Sequence, residues 1–302
     1  MRLNPHAKLL WNGDRVKSWL EGDKIHPILI EIAPTGYCNA NCPWCFFENQ
    51  KTAEKIDPAV MLKTIDELAK NGVKAINWTG GGEPTLHPQF AEFVRRAADC
   101  GIEQGLFTNG YLEIPEQEKF SWIRISLTDK GVDAIKKPRV PFGINLNQTA
   151  NQTEDELKKI CQEARDLGAA YFQVRPALLG SHKIQPKLTP PDYLKKYASE
   201  DFQVYTTPYK YEEAVRPKEY NKCYGYSFCP SINWKGHLGV CLYMMGDKNF
   251  IFGDLNEAGY SALWEKIPEH IKVSPACQNC CKNHEINKLL DLSKGIIQTS
   301  FL

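Results

Sequence analysis

The segment ILIEIAPTGYCNANCPWC, residues 28–45, joins a predicted strand to a cysteine triplet and decides the fold. Its first part, Ile28 to Thr35, is a β-branched apolar run of the kind that forms a buried strand. Its second part places Cys38, Cys42 and Cys45 in a CxxxCxxC spacing. Because scattered core cysteines would not group in this way, the triplet predicts a metal site directly after the first strand.

Downstream of the triplet, strand and helix patterns alternate up to about residue 176. Amphipathic patterns with capping residues predict three helices, over 57–72, 87–101 and 153–168. Five further strands are predicted, over 74–79, 102–108, 121–128, 140–148 and 170–176. This rhythm indicates βαβ units on a parallel sheet with right-handed crossovers. Six strands in total predict an α/β fold with a partial (β/α)6 barrel rather than a closed eight-stranded one.

Composition excludes several classes of protein. The 302 residues contain 37 Lys and Arg against 36 Asp and Glu, with 42% apolar and 24% charged residues, which argues against disorder. No run approaches the roughly 18 to 20 apolar residues of a membrane helix, and the near-neutral charge disfavours a nucleic-acid partner. The first residues lack the apolar core of a secretion signal, so we expect a cytoplasmic protein whose 11 cysteines are not disulfides. Of these, Cys100 and Cys161 are predicted to be plain buried thiols on helices.

Distinctive residues follow the predicted strands at the edge where parallel sheets bind ligands. The run Gly80-Gly81-Gly82-Glu83-Pro84 follows the second strand. At the ends of the next four strands come Asn109, Ser126, Asn145 and Arg175. The sequence therefore predicts that six loops converge on one rim.

The number of thiolates limits which kind of metal centre the triplet can hold. A structural zinc site needs four ligands, whereas three thiolates can hold three irons of a 4Fe–4S cluster and leave one iron open. An open iron can bind an amine and a carboxylate, as in an amino acid. The glycines from Gly80 to Gly82 would let the backbone approach such a ligand, and Glu83 is placed to accept its ammonium group.

The triplet, the aromatic Trp44 before its last cysteine, and the GGEP run about 35 residues later resemble the radical S-adenosylmethionine (SAM) superfamily. The resemblance, over about residues 28–180, implies SAM bound to the open iron of a 4Fe–4S cluster held by Cys38, Cys42 and Cys45. It also implies cleavage of SAM to a 5′-deoxyadenosyl radical that abstracts a substrate hydrogen. By similarity, the SAM contacts are Gly81, Gly82, Glu83, Asn109, Ser126 and Asn145, and Arg175 is either a carboxylate contact or a solvated charge. Many relatives carry Ser-x-Asp after the fourth strand, whereas here Asp129 comes one residue late.

The last third of the chain has a different composition. Residues 205–227 are predicted to be a connecting loop, 231–241 a β-hairpin and 258–267 a short helix. The spacing of Cys223, Gly236 and Cys241, followed by a CxxC, resembles the twitch extension, or half-SPASM domain. That resemblance implies a C-terminal hairpin-plus-helix domain with a second, auxiliary 4Fe–4S cluster, its ligands being Cys223, Cys241, Cys277 and Cys280. A structural zinc site would show the same four thiolates.

The predicted division is an N-terminal extension over 1–27, a radical SAM partial barrel over 28–200 and a twitch-like domain over 201–302. Two cysteines stay open. Cys229 is either a thiol that donates a hydrogen atom to a substrate radical or a packed residue. Cys281 is a second donor candidate, a replacement ligand for Cys280 or merely its neighbour.

The predicted function is hydrogen abstraction from a natural-product type substrate, either a small sugar or aminocyclitol or a peptide. The product would be epimerised if a thiol returns a hydrogen atom, and oxidised if the auxiliary cluster accepts an electron. A flavodoxin or ferredoxin is the expected reductant. The alternative is an iron–sulfur redox relay or scaffold that does not cleave SAM.

Overall fold

The computed structural model describes residues 5–47, 51–177, 187–213, 218, 220–274, 277, 281 and 283–296. Its helices in these ranges are α1 (Pro5–Leu10), α2 (Gly13–Leu20), α3 (Pro58–Lys70), α4 (Phe90–Asp99), α5 (Glu154–Asp166), α6 (Pro208–Glu213), α7 (Tyr260–Trp264) and α8 (His284–Ser293). Its strands are β1 (Leu29–Ile32), β2 (Ala75–Trp78), β3 (Glu103–Thr108), β4 (Trp122–Ser126), β5 (Phe142–Gln148), β6 (Tyr171–Pro176), β7 (Gln203–Thr206), β8 (Lys222–Cys223), β9 (Ser231–Ile232), β10 (His237–Gly239), β11 (Ile251–Asp254) and β12 (Ile271–Lys272). In the described ranges, every helix is too short or too polar to cross a membrane.

One ten-stranded sheet organises the molecule, in the order β11-β10-β9-β1-β2-β3-β4-β5-β6-β7. All neighbours from β9 through β7 pair in parallel, whereas β10 pairs antiparallel with β9 and with β11. The two edge strands do not pair with each other, so the barrel is open. This confirms the predicted α/β fold with a partial barrel.

Local signals set the helix boundaries. Asp57 caps α3, its carboxylate accepting from the backbone N–H groups of Ala59 and Val60. Thr153 and Glu156 form a capping box at the start of α5. Because these caps satisfy N–H groups that would otherwise lack partners, both helices begin where the sequence predicts.

Strand alternation gives the sheet two unlike faces. Toward α3, α4 and α5 it presents an apolar core that includes Ile32, Ile76, Leu106 and Ile144. The alternate residues line the concave face, which is polar and aromatic; they include Asn77, Phe107, Arg124, Ser126, Asn145, Tyr171, Gln173, Arg175 and Tyr205. The concave face is therefore the surface available to ligands.

The C-terminal third contributes more to this sheet than its sequence suggests. Strand β7 extends the sheet beyond β6, and β9 pairs with β1 through Glu31 opposite Ser231. The prediction of a connecting loop over 205–227 was wrong, because the end of β7, α6 and β8 lie there. The predicted hairpin is present as β9 and β10, and the predicted short helix as α7.

Candidate active site

The cysteine loop leaves the C-terminal end of β1. Cys38, Cys42 and Cys45 are each half-buried, and the Cys45 backbone N–H donates to the Cys42 carbonyl at 3.0 Å. Burial, followed by the charges of Cys45, Asp129 and Cys38, raises the pKa of Cys42 to about 11. Burial likewise raises the pKa of Cys38. Three neighbouring thiolates therefore disfavour one another unless a positive charge lies between them.

The glycine loop after β2 packs directly on the backbone of the cysteine loop. The N–H groups of Gly82 and Glu83 donate to the carbonyls of Thr35 and Tyr37 at 2.9 and 2.8 Å. A Cβ at Gly82 would lie 2.0 Å from the Tyr37 carbonyl oxygen. Only glycine permits this approach, so the predicted glycine run has a structural requirement here.

Glu83 is buried and held by the next strand. Its Oε1 accepts from the Thr85 hydroxyl at 2.8 Å, the Thr85 N–H at 3.2 Å and the Thr108 hydroxyl at 2.7 Å. Its Oε2 accepts from the Asn109 N–H at 2.7 Å. Burial raises the pKa of Glu83, and these hydrogen bonds oppose the rise. Because Oε1 is fully used, only Oε2 retains a lone pair for an ammonium group.

Asn109 links the third strand to the thiols. Its side-chain N–H donates to Asn39 Oδ1 at 2.7 Å and lies 3.9 Å from the Cys38 sulfur. A backbone hydrogen bond from Asp129 favours the Cys42 thiolate. The structure therefore brings the loops after β1, β2, β3 and β4 together at one end of the sheet.

The other predicted contacts lie on the concave face. Ser126 and Asn145 are register partners on β4 and β5. Asn145 is fully buried, and its Oδ1 has no hydrogen-bond partner among the described residues. Arg175 donates through Nε to Asn147 Oδ1 at 3.0 Å.

A second group of thiols lies in the C-terminal third. Burial raises the pKa of Cys241 well above its usual value, and the charges of Cys281, Cys223 and Cys277 raise it further. Cys241 and Cys277 also pack against the same small apolar cluster that contains Cys223. Asn287 of α8 donates to the Cys223 sulfur at 3.5 Å and lies 4.0 Å from the Cys281 sulfur. Cys281 is thus placed with this group, whereas the predicted ligand Cys280 lies outside the described residues.

Cys229 borders this group of thiols. It is 5% exposed, and burial, followed by the charge of Cys241, raises its pKa to about 12. The carbonyls of its neighbours, Phe228 and Pro230, accept from the N–H groups of Leu29 and Glu31. Cys229 therefore lies beside the N-terminal end of β1, away from the C-terminal end that carries the cysteine loop.

Trp234, in the turn between β9 and β10, is a site residue that sequence reasoning missed. It is 3% exposed, and a Cβ at Gly81 would lie 2.0 Å from its ring. The ring also packs against Phe47, just beyond the cysteine triplet, with centroids 6.2 Å apart. No local pattern distinguishes this tryptophan, because its contacts come from the pairing of β9 with β1.

The candidate ligand side chains can be compared with those that would hold a metal ion or an iron–sulfur cluster. No three Cys, His, Asp or Glu side chains in the described ranges are close enough to hold a single metal ion. The fit to a cluster therefore rests on the donor set. At the first site the candidate ligands are thiols alone, and glycines that tolerate no Cβ lie beside them. These residues fit a thiolate-bound cluster with a ligand held against the backbone.

The open α/β barrel places its thiol loop at the C-terminal end of a parallel sheet, where proteins of this class bind their ligands. Residues 32–170, a little under half of the chain, match the family model described as the Radical SAM superfamily. The family implies a 4Fe–4S cluster and SAM.

Two curated relatives each match less than half of the chain. The tungsten-containing aldehyde ferredoxin oxidoreductase cofactor-modifying protein of Pyrococcus furiosus is 30% identical over 142 residues, covering 44% of this chain and 38% of that protein. The GTP 3′,8-cyclase of Chlorobaculum tepidum is 28% identical over 177 residues, covering 49% of this chain and 53% of that protein. The chain thus spans about half, or less, of the length of these relatives.

A solved structure matches over more of the chain. Streptococcus suis SuiB bound to precursor peptide SuiA superposes with a TM-score of 0.61 at 18% identity, covering 89% of this chain and 72% of that chain. At this identity the match shows a shared fold alone.

Proposed function

We propose that this chain is a radical SAM enzyme that cleaves SAM reductively and abstracts a hydrogen atom from a carbon of its substrate. The observation that carries the proposal is the hydrogen-bonded link from buried Glu83 through Asn109 to the Cys38 loop. This link makes the glycine loop and the thiol loop one site. A redox relay without SAM has no need of a buried carboxylate and a backbone cradle beside its thiols.

Each predicted residue has a role in this proposal. Cys38, Cys42 and Cys45 hold the cluster, and Glu83 Oε2 accepts the SAM ammonium group. Gly81 and Gly82 keep the backbone open to the methionine part. The remaining predicted contacts to SAM are Asn109, Ser126, Asn145 and Arg175. When bound, the cluster and SAM supply a 5′-deoxyadenosyl radical.

For the second thiol group, we propose an auxiliary 4Fe–4S cluster held by Cys223, Cys241, Cys277 and Cys281. Asn287 supports this site: its Oδ1 accepts from the N–H groups of Tyr224 and Gly225 at 2.7 Å each, while its Nδ2 faces the Cys223 sulfur. The twitch-like character of residues 201–302 is part of this proposal. The alternative is a four-thiolate zinc, which the spacing of these described side chains disfavours, and iron and acid-labile sulfide analysis separates the two.

We favour oxidation over epimerisation as the outcome. Epimerisation needs a thiol that can reach the substrate radical, but Cys281 faces other thiols and Cys229 lies at the opposite end of β1. The product should therefore lack two hydrogens relative to the substrate, which we propose to be a sugar-type small molecule or a peptide. A flavodoxin or ferredoxin is the proposed reductant.

Release of 5′-deoxyadenosine tests the proposal. Anaerobically reconstituted protein, SAM and dithionite should yield 5′-deoxyadenosine, and Cys42→Ala should abolish its formation. Cys100→Ala is the matched control, because this thiol lies at the end of α4 beside Asp66. Tight SAM binding without cleavage under any strong reductant would instead favour the redox relay.

Turnover in D2O separates the two outcomes once a substrate is found. Oxidation predicts a mass loss of two hydrogens and little solvent label, with Cys229→Ala retaining that product. One deuterium per product, lost in Cys229→Ala, would establish epimerisation by this thiol.

A further inference from the structure

The concave face of the sheet has a floor of aromatic rings that two glycines make possible. Trp122 lies across β3, where a Cβ at Gly105 would be 2.1 Å from its ring. Tyr171 lies across β5, where a Cβ at Gly143 would be 1.9 Å from its ring. Side chains at these two positions would push the rings off the sheet, so the sequence is shaped to keep them flat.

Arg124 lies among these rings without an opposite charge. Its guanidinium carbon is 5.0 Å from the centroid of Phe107 and 5.5 Å from that of Trp122. Its Nε donates to the Tyr171 hydroxyl at 3.2 Å. No carboxylate pairs with it among the described residues, although it is half-buried. The rings favour the cation but leave its outer N–H groups available to an anion.

Two residues further along the strands, toward the cysteine loop, two amide oxygens also lack hydrogen-bond partners among the described residues. Asn145 Oδ1 and Gln173 Oε1 are buried without a hydrogen bond in the described part of the chain. The two residues are register partners on β5 and β6, so their side chains are neighbours on the same face of the sheet. Arg124 and Tyr171 are two positions earlier on their strands, about 6–7 Å away along the sheet. Buried acceptors of this kind call for a ligand that brings donors.

We propose that this part of the concave face is the substrate subsite: Arg124 binds an oxyanion of the substrate, and Gln173, next to the proposed SAM contact Asn145, accepts from a hydroxyl, amine or amide N–H group. The substrate is therefore acidic and carries a hydrogen-bond donor about 6–7 Å from its charged group. The reaction of this substrate rests on the proposed function, whereas the binding of an anion at Arg124 does not depend on it. A carboxylate and a phosphate ester share this chemistry, and the experiment distinguishes them.

Anion binding tests the proposal without turnover. The reconstituted protein is titrated with inorganic phosphate and, separately, with succinate, with and without SAM, and affinity is read by calorimetry and thermal shift. At least one anion should bind, and Arg124→Gln should weaken it at least fivefold. Arg95→Gln is the control, because that guanidinium pairs with Glu116 at 2.8 Å on the surface. The tighter anion identifies the substrate's charged group.

Absence of binding by both anions, or equal affinity in Arg124→Gln, would overturn the proposal. If Arg124→Gln does not fold, Arg124→Lys keeps the charge but loses the planar stack, and unchanged affinity in that variant has the same consequence. Gln173→Leu gives a second readout. Removal of an unsatisfied buried acceptor should raise the melting temperature of the ligand-free protein, and a lowered one contradicts the role of Gln173. Because 5′-deoxyadenosine is not measured here, failure of this proposal is distinguishable from failure of the proposed function.

Discussion

Gly81→Ala should uncouple the C-terminal hairpin from the SAM loop. The added Cβ would lie 2.0 and 2.2 Å from two carbons of the Trp234 ring, whereas ordinary contact begins near 3.4 Å. The ring must therefore move by more than 1 Å, but it is 3% exposed and Phe47 packs against it. Overpacking of this kind costs about 2–3 kcal/mol, the upper part of its usual range. For 302 residues this cost should lower the melting temperature by roughly 3–5 °C, and SAM affinity should be at least tenfold weaker.

A double-mutant cycle tests the stated cause. Thermal unfolding and SAM binding are measured for Gly81→Ala, Trp234→Leu and the double variant; Trp234→Leu should remove most of the cost of Gly81→Ala. Gly13→Ala is the control, because a Cβ at Gly13 meets nothing within 4 Å. If Gly81→Ala is as stable as the parent protein, or if the two effects simply add, the contact does not have the role assigned to it.

Four further results are expected. Glu83→Gln should weaken SAM binding at least tenfold while the cluster still assembles, as judged by iron content; unchanged affinity would contradict the role of Oε2. Asn287→Leu should lower iron and sulfide at the second thiol group, because two backbone N–H groups and the Cys223 sulfur lose their partner; full iron content would count against it. Thr153→Ala should destabilise the protein by about 1 kcal/mol in denaturant titration, through loss of the capping box of α5. Burial lowers the pKa of His87 in the folded protein. The stability contributed by neutral His87 is therefore present above the unfolded pKa of about 6.5 and is lost as pH falls toward the lower folded pKa. His87→Asn should flatten this part of the plot of stability against pH, and an identical plot would show that His87 does not cause the change.

The placement of the second thiol group bears on how the two ends of the chain cooperate. The segment after Cys241 returns to the cysteine loop, where Tyr243 lies 5.0 Å from Phe46 between ring centroids. Leu242 packs beside Cys45 in the same small apolar cluster as Trp234. The C-terminal third and the first thiol loop are therefore in contact through packed side chains.

Most of the barrel could be predicted from local sequence signals. Asp57 and Thr153 are helix caps within a few residues of the groups they bind, and short runs with apolar residues in alternation indicated β1 through β6. These features depend on residues that are close along the chain, so they can be predicted from the sequence without the tertiary structure. Strand β7 was missed because Gln203–Thr206 is only four residues long and leads into a stretch rich in Tyr, Pro and charge; its pairing with β6 identifies it.

The sequence by itself determined the thiol triplet, the glycine loop that follows β2 and the alternation that makes an open α/β barrel. Only the tertiary structure decided that Trp234 covers Gly81, that Cys281 joins Cys223, and that Arg124 lies unpaired among aromatic rings. The physical reason is one of range. Caps, strand periodicity and ligand spacing are set by residues close along the chain, whereas packing and charge pairing depend on which distant segments the sheet brings together.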